Sequence, residues 1–277
     1  MVDLRQSQDY ANYLLKNGWT VERIAEINYF IKKIPLLGSI IKVQRPEEIR
    51  IDMIRSLAKK YKTFLTIIEP KSEMDAKYLT SIGFRLSKNT YLPSKTIQID
   101  LTQEKINIYK KLKRNIRQGI KRGESITLKE YSTPKELEIF RESWKKITNS
   151  RLFVPTTEQL INLRRSFPQS RSLFLASHNI SSSIIGGVIF TRVSHAAGYY
   201  MYGFTSNEGR TSLTHAALLY QGILWAKRNG CKIFDFEGVY DERFPKKDWK
   251  GFTQFKRSFG GYEIEYPGTF IKYRLPI

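Results

Sequence analysis

Gly198-Tyr199-Tyr200-Met201-Tyr202-Gly203, the apolar stretch from Leu213 to Asn229, and Lys232-Ile233-Phe234-Asp235-Phe236 follow one another near the C-terminal end of the chain. An aromatic run, a long segment with Leu213, Ala217, Tyr220 and Leu224 on one stripe, and a short apolar run read as strand, helix and strand. Lys227 and Arg228 complement the dipole at the end of the helix, and Gly230 stops it. Alternation along the first strand puts Tyr200 and Tyr202 on one face, with Tyr199 and Met201 on the other.

Outward from this unit the same order recurs. Upstream lie a helix over 103–122 ended by Gly123, a helix started by Thr133-Pro134 and another by Pro155-Thr156-Thr157. Strands follow at Arg171–Ala176, around Gly186-Gly187 and at the tyrosine run. In the first hundred residues a helix from Ser7 to Lys16 is closed by Asn17-Gly18, and Tyr29–Ile41 reads as strand and turn. Pro46 opens a helix with Ile49, Met53, Ile54 and Leu57 on one face. Thr63–Ile68 is a strand that stops at Glu69-Pro70, a short helix stops at Gly83, and Thr96–Leu101 alternates. Helices, hairpin strands and a strand–helix–strand, occurring twice, predict an α/β (α+β) chain. The expected architecture is two GNAT-like (acetyltransferase-like) domains with a cleft between them.

The 277 residues are 41% hydrophobic and 13% aromatic, enough for two packed cores. The formal net charge of +21 selects for polyanionic partners: nucleic acid, a phosphorylated substrate or an anionic membrane surface. The lone Cys231 excludes an intramolecular disulfide and, at a strand start, reads as a buried small side chain. His178, His195 and His215 show no ligand spacing, so no metal is expected. No signal-peptide pattern or apolar run of ~20 residues occurs. A cytoplasmic protein is expected, with peripheral contact at the inner membrane surface through 29–41 as a lesser alternative, and a monomer.

Two stretches carry chemistry. Lys110 to Arg122 contains seven cations and no acid, with Leu112, Ile116 and Ile120 every fourth residue. A solvated helix interleaves acids for i,i+4 pairing; this one leaves its repulsion unrelieved, which points Lys113, Arg114 and Arg117 at phosphates. Thr253-Gln254-Phe255-Lys256-Arg257-Ser258-Phe259-Gly260-Gly261 places one cation beside one aromatic ring, although taken alone Phe255 and Phe259 read more readily as core, with Lys256 and Arg257 solvated between them. Thr205–Ser212 stands where acetyltransferases of this fold cradle a pyrophosphate, but has one glycine and an acid, which disfavours coenzyme A.

In order, Gln8-Asp9-Tyr10, Gly18-Trp19, Ile67-Ile68-Glu69-Pro70, Lys121-Arg122-Gly123, Tyr200-Met201-Tyr202-Gly203, Leu224-Trp225-Ala226-Lys227, Asp235-Phe236-Glu237-Gly238 and Phe255–Gly261 resemble the Fem family (FemABX-type) of peptidoglycan-bridge aminoacyltransferases. The resemblance is to the compact form, without the coiled-coil arm. It implies transfer of an amino acid from aminoacyl-tRNA to the stem peptide of a UDP- or lipid-linked muropeptide precursor, with no metal and no coenzyme A. It implies Lys256 as the catalytic lysine and Phe255 as the ring at the tRNA acceptor end. Tyr200 and Lys16 match precursor-binding positions, and Tyr202 joins them. Glu69 stands at the place of an acid that is a base candidate, although an amine bound neutral needs little base catalysis and a positioning role is expected. The family's arginine before Pro155 is replaced by Val154, and Arg151 is the nearest substitute. The resemblance also implies that the last strand returns to the first domain, giving 1–94 plus 266–277 and 95–265. An acyl-CoA-dependent N-acyltransferase and a non-catalytic RNA-binding relative are the alternatives.

Overall fold

The computed structural model describes residues 3–123, 126–148 and 153–274. It is a mixed α+β chain with two sheets, in two compact units. The first unit comprises Met1–Thr96, Tyr240–Asp248 and Ile264–Ile277, and the second Ile97–Val239 and Trp249–Glu263.

In the first unit a 3-10 turn (Leu4–Gln6) leads into α1 (Gln8–Lys16), capped by the Ser7 hydroxyl on the Tyr10 amide. Strands β1 (Thr20–Ile24), β2 (Ile27–Ile34) and β3 (Gly38–Gln44) form an antiparallel meander. Then come α2 (Ile51–Lys60), β4 (Thr63–Glu69), α3 (Glu73–Ser81) and β5 (Arg85–Leu86). Tyr29, Ile31, Ile41, Ile54, Leu57, Ile68 and Leu79 form the core. The helix expected to open at Pro46 starts only at Ile51. Arg45 holds a left-handed backbone, its amide donates to the Glu69 carbonyl, and its guanidinium pairs with buried Asp3, so the chain turns before it coils.

The second unit runs β6 (Lys95–Asp100), α4 (Lys105–Lys111), α5 (Arg114–Gly123), β7 (Thr127–Glu130), α6 (Pro134–Ile147) and α7 (Thr157–Ser166). It continues with β8 (Ser172–His178), β9 (Ile184–Val193), β10 (Ala197–Thr205), α8 (Asn207–Thr211), α9 (Thr214–Arg228) and β11 (Ile233–Asp235). It closes with α10 (Trp249–Arg257) and β12 (Tyr262–Glu265). The last strand, β13 (Phe270–Tyr273), pairs antiparallel with β4 and β5 in the first sheet, whose order is β1-β2-β3-β4-β13-β5. The second sheet is ordered β12-β6-β11-β10-β9-β8-β7, and β10 and β11 are parallel across the α9 crossover.

Three further readings change. The helix expected over 103–122 is two helices, because Leu112 is extended and the Lys113 amide donates to the Ser258 carbonyl at 2.9 Å. Residues 240–248, assigned by sequence to the second domain, cluster with the first unit. There Asp241 accepts from the Ser94 hydroxyl and from Arg243, an irregular segment that no periodicity marks. Finally, Tyr200 and Tyr202 do not share a face. Tyr200 pairs with Phe190 and Tyr202 with Ile189, so Met201 is a bulge. One extra residue reverses the alternation beyond it.

Candidate active site

The turn after β11 supplies the first half of the site. The Asp235 carboxylate accepts the Glu237 amide at 2.7 Å and Gln98 Nε2 at 2.8 Å. Glu237 and Gly238 then take positive φ of 55° and 109°, folding the chain back. This orients the Phe236 and Gly238 carbonyls so that both accept from Lys256 Nζ, at 2.7 and 2.6 Å.

Lys256 itself comes from α10, whose end is set by Gly260 and Gly261 at φ 80° and 92°. Gly261 lies so close to β6 that a Cβ would stand 2.4 Å from the Gln98 carbonyl oxygen. Phe259 is buried behind it against Phe236 and Phe255.

The Lys256 side chain is 7% exposed, and its Nζ stands 5.3 Å from the Tyr200 ring and 5.0 Å from the Phe252 ring. A buried ammonium needs such partners: two carbonyl acceptors and two ring faces replace its water. Burial nevertheless pulls its pKa down to about 8, against Glu237 and Asp235, which favour the charged form. An ammonium carries three donors, and two are committed to carbonyls.

Tyr200 projects from β10 toward the same place, and its hydroxyl lies 3.0 Å from His215 Nε2 in the first turn of α9. The His215 ring is 5.6 Å from that of Phe255, which stays partly exposed. Burial, and then the Lys256 charge, push His215 down to about 4, while burial pushes the Tyr200 phenol well above its usual range. At neutral pH the cluster therefore holds one ammonium, one neutral imidazole and one neutral phenol. It presents donors without a strong base, which suits stabilising a developing oxyanion.

The structure thus brings Lys256, Phe255 and Tyr200 together. Tyr202, beyond the bulge, packs instead against Trp144 at 5.6 Å. Lys113, Arg114 and Arg117 are exposed at the start of α5, and among the described residues none pairs with a carboxylate. Arg151 lies outside the described residues. Lys16 and Glu69 belong to the first unit. Lys16 is an exposed cation in the last turn of α1. Glu69 is buried, and its carboxylate accepts from Gln44, the Leu92 amide and the Thr269 hydroxyl, tying β4 to its neighbours.

His215 is the residue that sequence reasoning missed. A single histidine at the start of an apolar helix has no local partner to mark it, and only the packing of α9 against β10 supplies one. Cys231 is buried and unpaired, its thiol raised to about 11 by desolvation. Among the described residues no group of three or more His, Cys, Asp or Glu converges as metal ligands would. No described helix is long and apolar enough to cross a membrane.

Residues 179–277 match the FemAB family, a span that contains Tyr200, His215, Phe255 and Lys256. Over 96 residues, 35% of this chain, the sequence is 30% identical to the lipid II:glycine glycyltransferase of Staphylococcus haemolyticus (strain JCSC1435). That match covers 22% of the relative, so it spans about a fifth of its length. The fold is similar to the crystal structure of FemX, with a TM-score of 0.80 at 18% identity over 98% of this chain and 92% of that one. It is also similar to a tandem GNAT protein from the clavulanic acid biosynthesis pathway, at TM-score 0.55 and 10% identity, over 89% and 82% of the two chains. The family match is confined to residues 179–277, while the likeness to FemX and to the tandem GNAT protein over most of the chain shows a GNAT-like fold.

Proposed function

We propose that the chain is an aminoacyltransferase that moves an amino acid from aminoacyl-tRNA to an amine on the stem peptide of a peptidoglycan precursor. The observation that carries this reading is the buried Lys256 ammonium, held by two carbonyls beside Tyr200 and the half-buried Phe255. The acceptor amine attacks the ester carbonyl carbon, and negative charge develops on the carbonyl oxygen. Lys256 donates its remaining N–H to that oxygen, in a pocket where fixed charge acts strongly. The tetrahedral species collapses with cleavage of the bond to the ribose oxygen. The amine loses a proton, the ribose hydroxyl gains one, and an amide has replaced an ester. An unprotonated amine is nucleophilic enough that positioning matters more than a base, in keeping with the saturated Glu69 carboxylate. Phe255 supports an acceptor-end role because stacking on an unpaired base is sequence-tolerant. The name of the relative, a glycyltransferase acting on lipid II, supports a muropeptide acceptor, and the chain's positive charge supports an RNA donor.

The test is incubation of the protein with a mixed pool of charged tRNAs and a muropeptide precursor, followed by mass analysis of the product. An added aminoacyl mass is expected with wild type. Lys256→Met should reduce transfer by ~10²–10³ while leaving tRNA and precursor affinity near wild type. A well-folded, fully active Lys256→Met protein would overturn the catalytic assignment. Transfer from acyl-coenzyme A in place of charged tRNA would overturn the donor.

A further inference from the structure

His215 has two ring nitrogens in unequal surroundings. Nε2 meets the Tyr200 hydroxyl at 3.0 Å, whereas Nδ1 is buried with no hydrogen-bond partner among the described residues. A neutral imidazole carries one proton, and where it sits decides the direction of the Tyr200 bond. With the proton on Nδ1, a buried N–H would be orphaned, the rarer and costlier kind of defect. With the proton on Nε2, only a lone pair is left bare at Nδ1, and Nε2–H donates to the tyrosine oxygen. The phenolic proton is then released from the imidazole and turns to another acceptor.

The backbone is cut to allow this contact. A Cβ on Gly203 would stand 1.9 Å from the Tyr200 hydroxyl oxygen and 2.9 Å from His215 Cε1. Gly203 does not have positive φ, so its glycine is explained by space and not by backbone conformation. The Met201 bulge is the second device: Tyr200 shares a face with Phe190, and the extra residue turns Tyr202 away from that face and brings Gly203 onto it. Low basicity agrees with the arrangement, because a protonated His215 would face Lys256.

We infer that His215 is a positioning residue: its Nε2–H holds the Tyr200 oxygen and thereby makes the Tyr200 hydroxyl a second hydrogen-bond donor, beside Lys256, to the ligand's carbonyl oxygen. The inference rests on the proposed acyl transfer for the identity of that ligand. Tyr200 and Lys256 then form a two-donor site, with the ring of Tyr200 also facing the ammonium.

The experiment has two arms. In the first, the 15N-histidine-labelled protein is examined by long-range 1H–15N NMR, with His215→Phe identifying the His215 imidazole among the three. A neutral ring protonated at Nε2 is expected, and the Nδ1–H tautomer would overturn the inference. In the second, steady-state transfer is measured for His215→Phe, Tyr200→Phe, the double variant and His215→Gln, which restores an N–H near the Nε2 position. Each single Phe variant should lose about tenfold in kcat, the worth of one hydrogen bond, with little change in KM. The double variant should be no worse than Tyr200→Phe, because one interaction has been removed twice. His215→Gln should recover most of the loss. Full activity of His215→Phe, or losses that multiply in the double variant, would overturn the inference. If the Phe variant fails to fold, the tautomer and His215→Gln still decide it. Absence of transfer by wild type would sink the functional reading and the ligand role together, whereas the NMR arm reports the direction of the Tyr200 bond regardless.

Discussion

Lys256 carries opposite consequences for activity and for stability. The oxyanion-donor role proposed for it requires the ammonium, so transfer should be steady through neutrality and fall as pH rises through about 8. Stability should move the other way. The folded pKa lies below the ordinary lysine value of 10.5, so between about 8 and 10.5 the unfolded chain holds a proton that the folded chain has released. Stability therefore rises with pH in that window, by on the order of 3 kcal/mol. Urea titrations from pH 7.5 to 10.5 should show this rise in wild type and lack it in Lys256→Met. A wild-type minus variant difference that stays flat would show that the lysine is not desolvated. His215 acts at the acid side. With its folded pKa at about 4 and the ordinary imidazole value at 6.5, stability contributed by the neutral imidazole is lost as pH falls across that interval.

At the scale of elements, the contact that seats the basic helix is made by glycines. A Cβ on Gly119 of α5 would come 2.7 Å from Ala216 Cβ and 3.0 Å from the Leu213 carbonyl oxygen of the α9 segment. On Gly123 it would come 2.3 Å from Ala217 Cβ. With Leu112, Ile116 and Ile120 packed on the same core, α5 buries a narrow stripe and turns its cations outward. In an open helix Gly→Ala stabilises by roughly 0.5–1 kcal/mol. Here the added methyl overlaps a neighbour, so Gly123→Ala should instead destabilise, by about 1–3 kcal/mol. Chemical denaturation measures it, and Ala217→Gly in the same chain should return most of the loss. A stabilised Gly123→Ala protein would contradict the close helix contact.

Across the whole molecule the net charge is +21, and the stretch from Lys110 to Arg122 supplies seven cations with no acid among them. Replacing Lys113, Arg114 and Arg117 with Glu should weaken tRNA binding and flatten its salt dependence. Each lost phosphate contact removes about 0.9 (duplex) or 0.7 (single strand) from the log–log slope. Filter binding over a salt series gives the slope, and an unchanged value would assign these cations to solvent alone.

Local rules reached far into this chain. Ser7, Thr133 and Thr156 cap their helices, Gly83 and Gly230 stop theirs, and strand–helix–strand order with two apolar sets specified two α+β units. Residue types near one another in sequence were enough for these, because caps, stops and periodic faces are short-range. The Phe255-Lys256 pair was legible as cation beside ring, and as a site only through family resemblance. Other features required the folded chain. The break at Leu112 depends on the Ser258 carbonyl, distant in sequence. The Met201 bulge depends on the register of β10 against β9, and it alone separates Tyr200 from Tyr202. His215 acquires a partner only when α9 lies over β10. The reason is common to all three: hydrogen bonds between groups far apart in sequence choose register, tautomer and helix ends, and no local pattern encodes their partners.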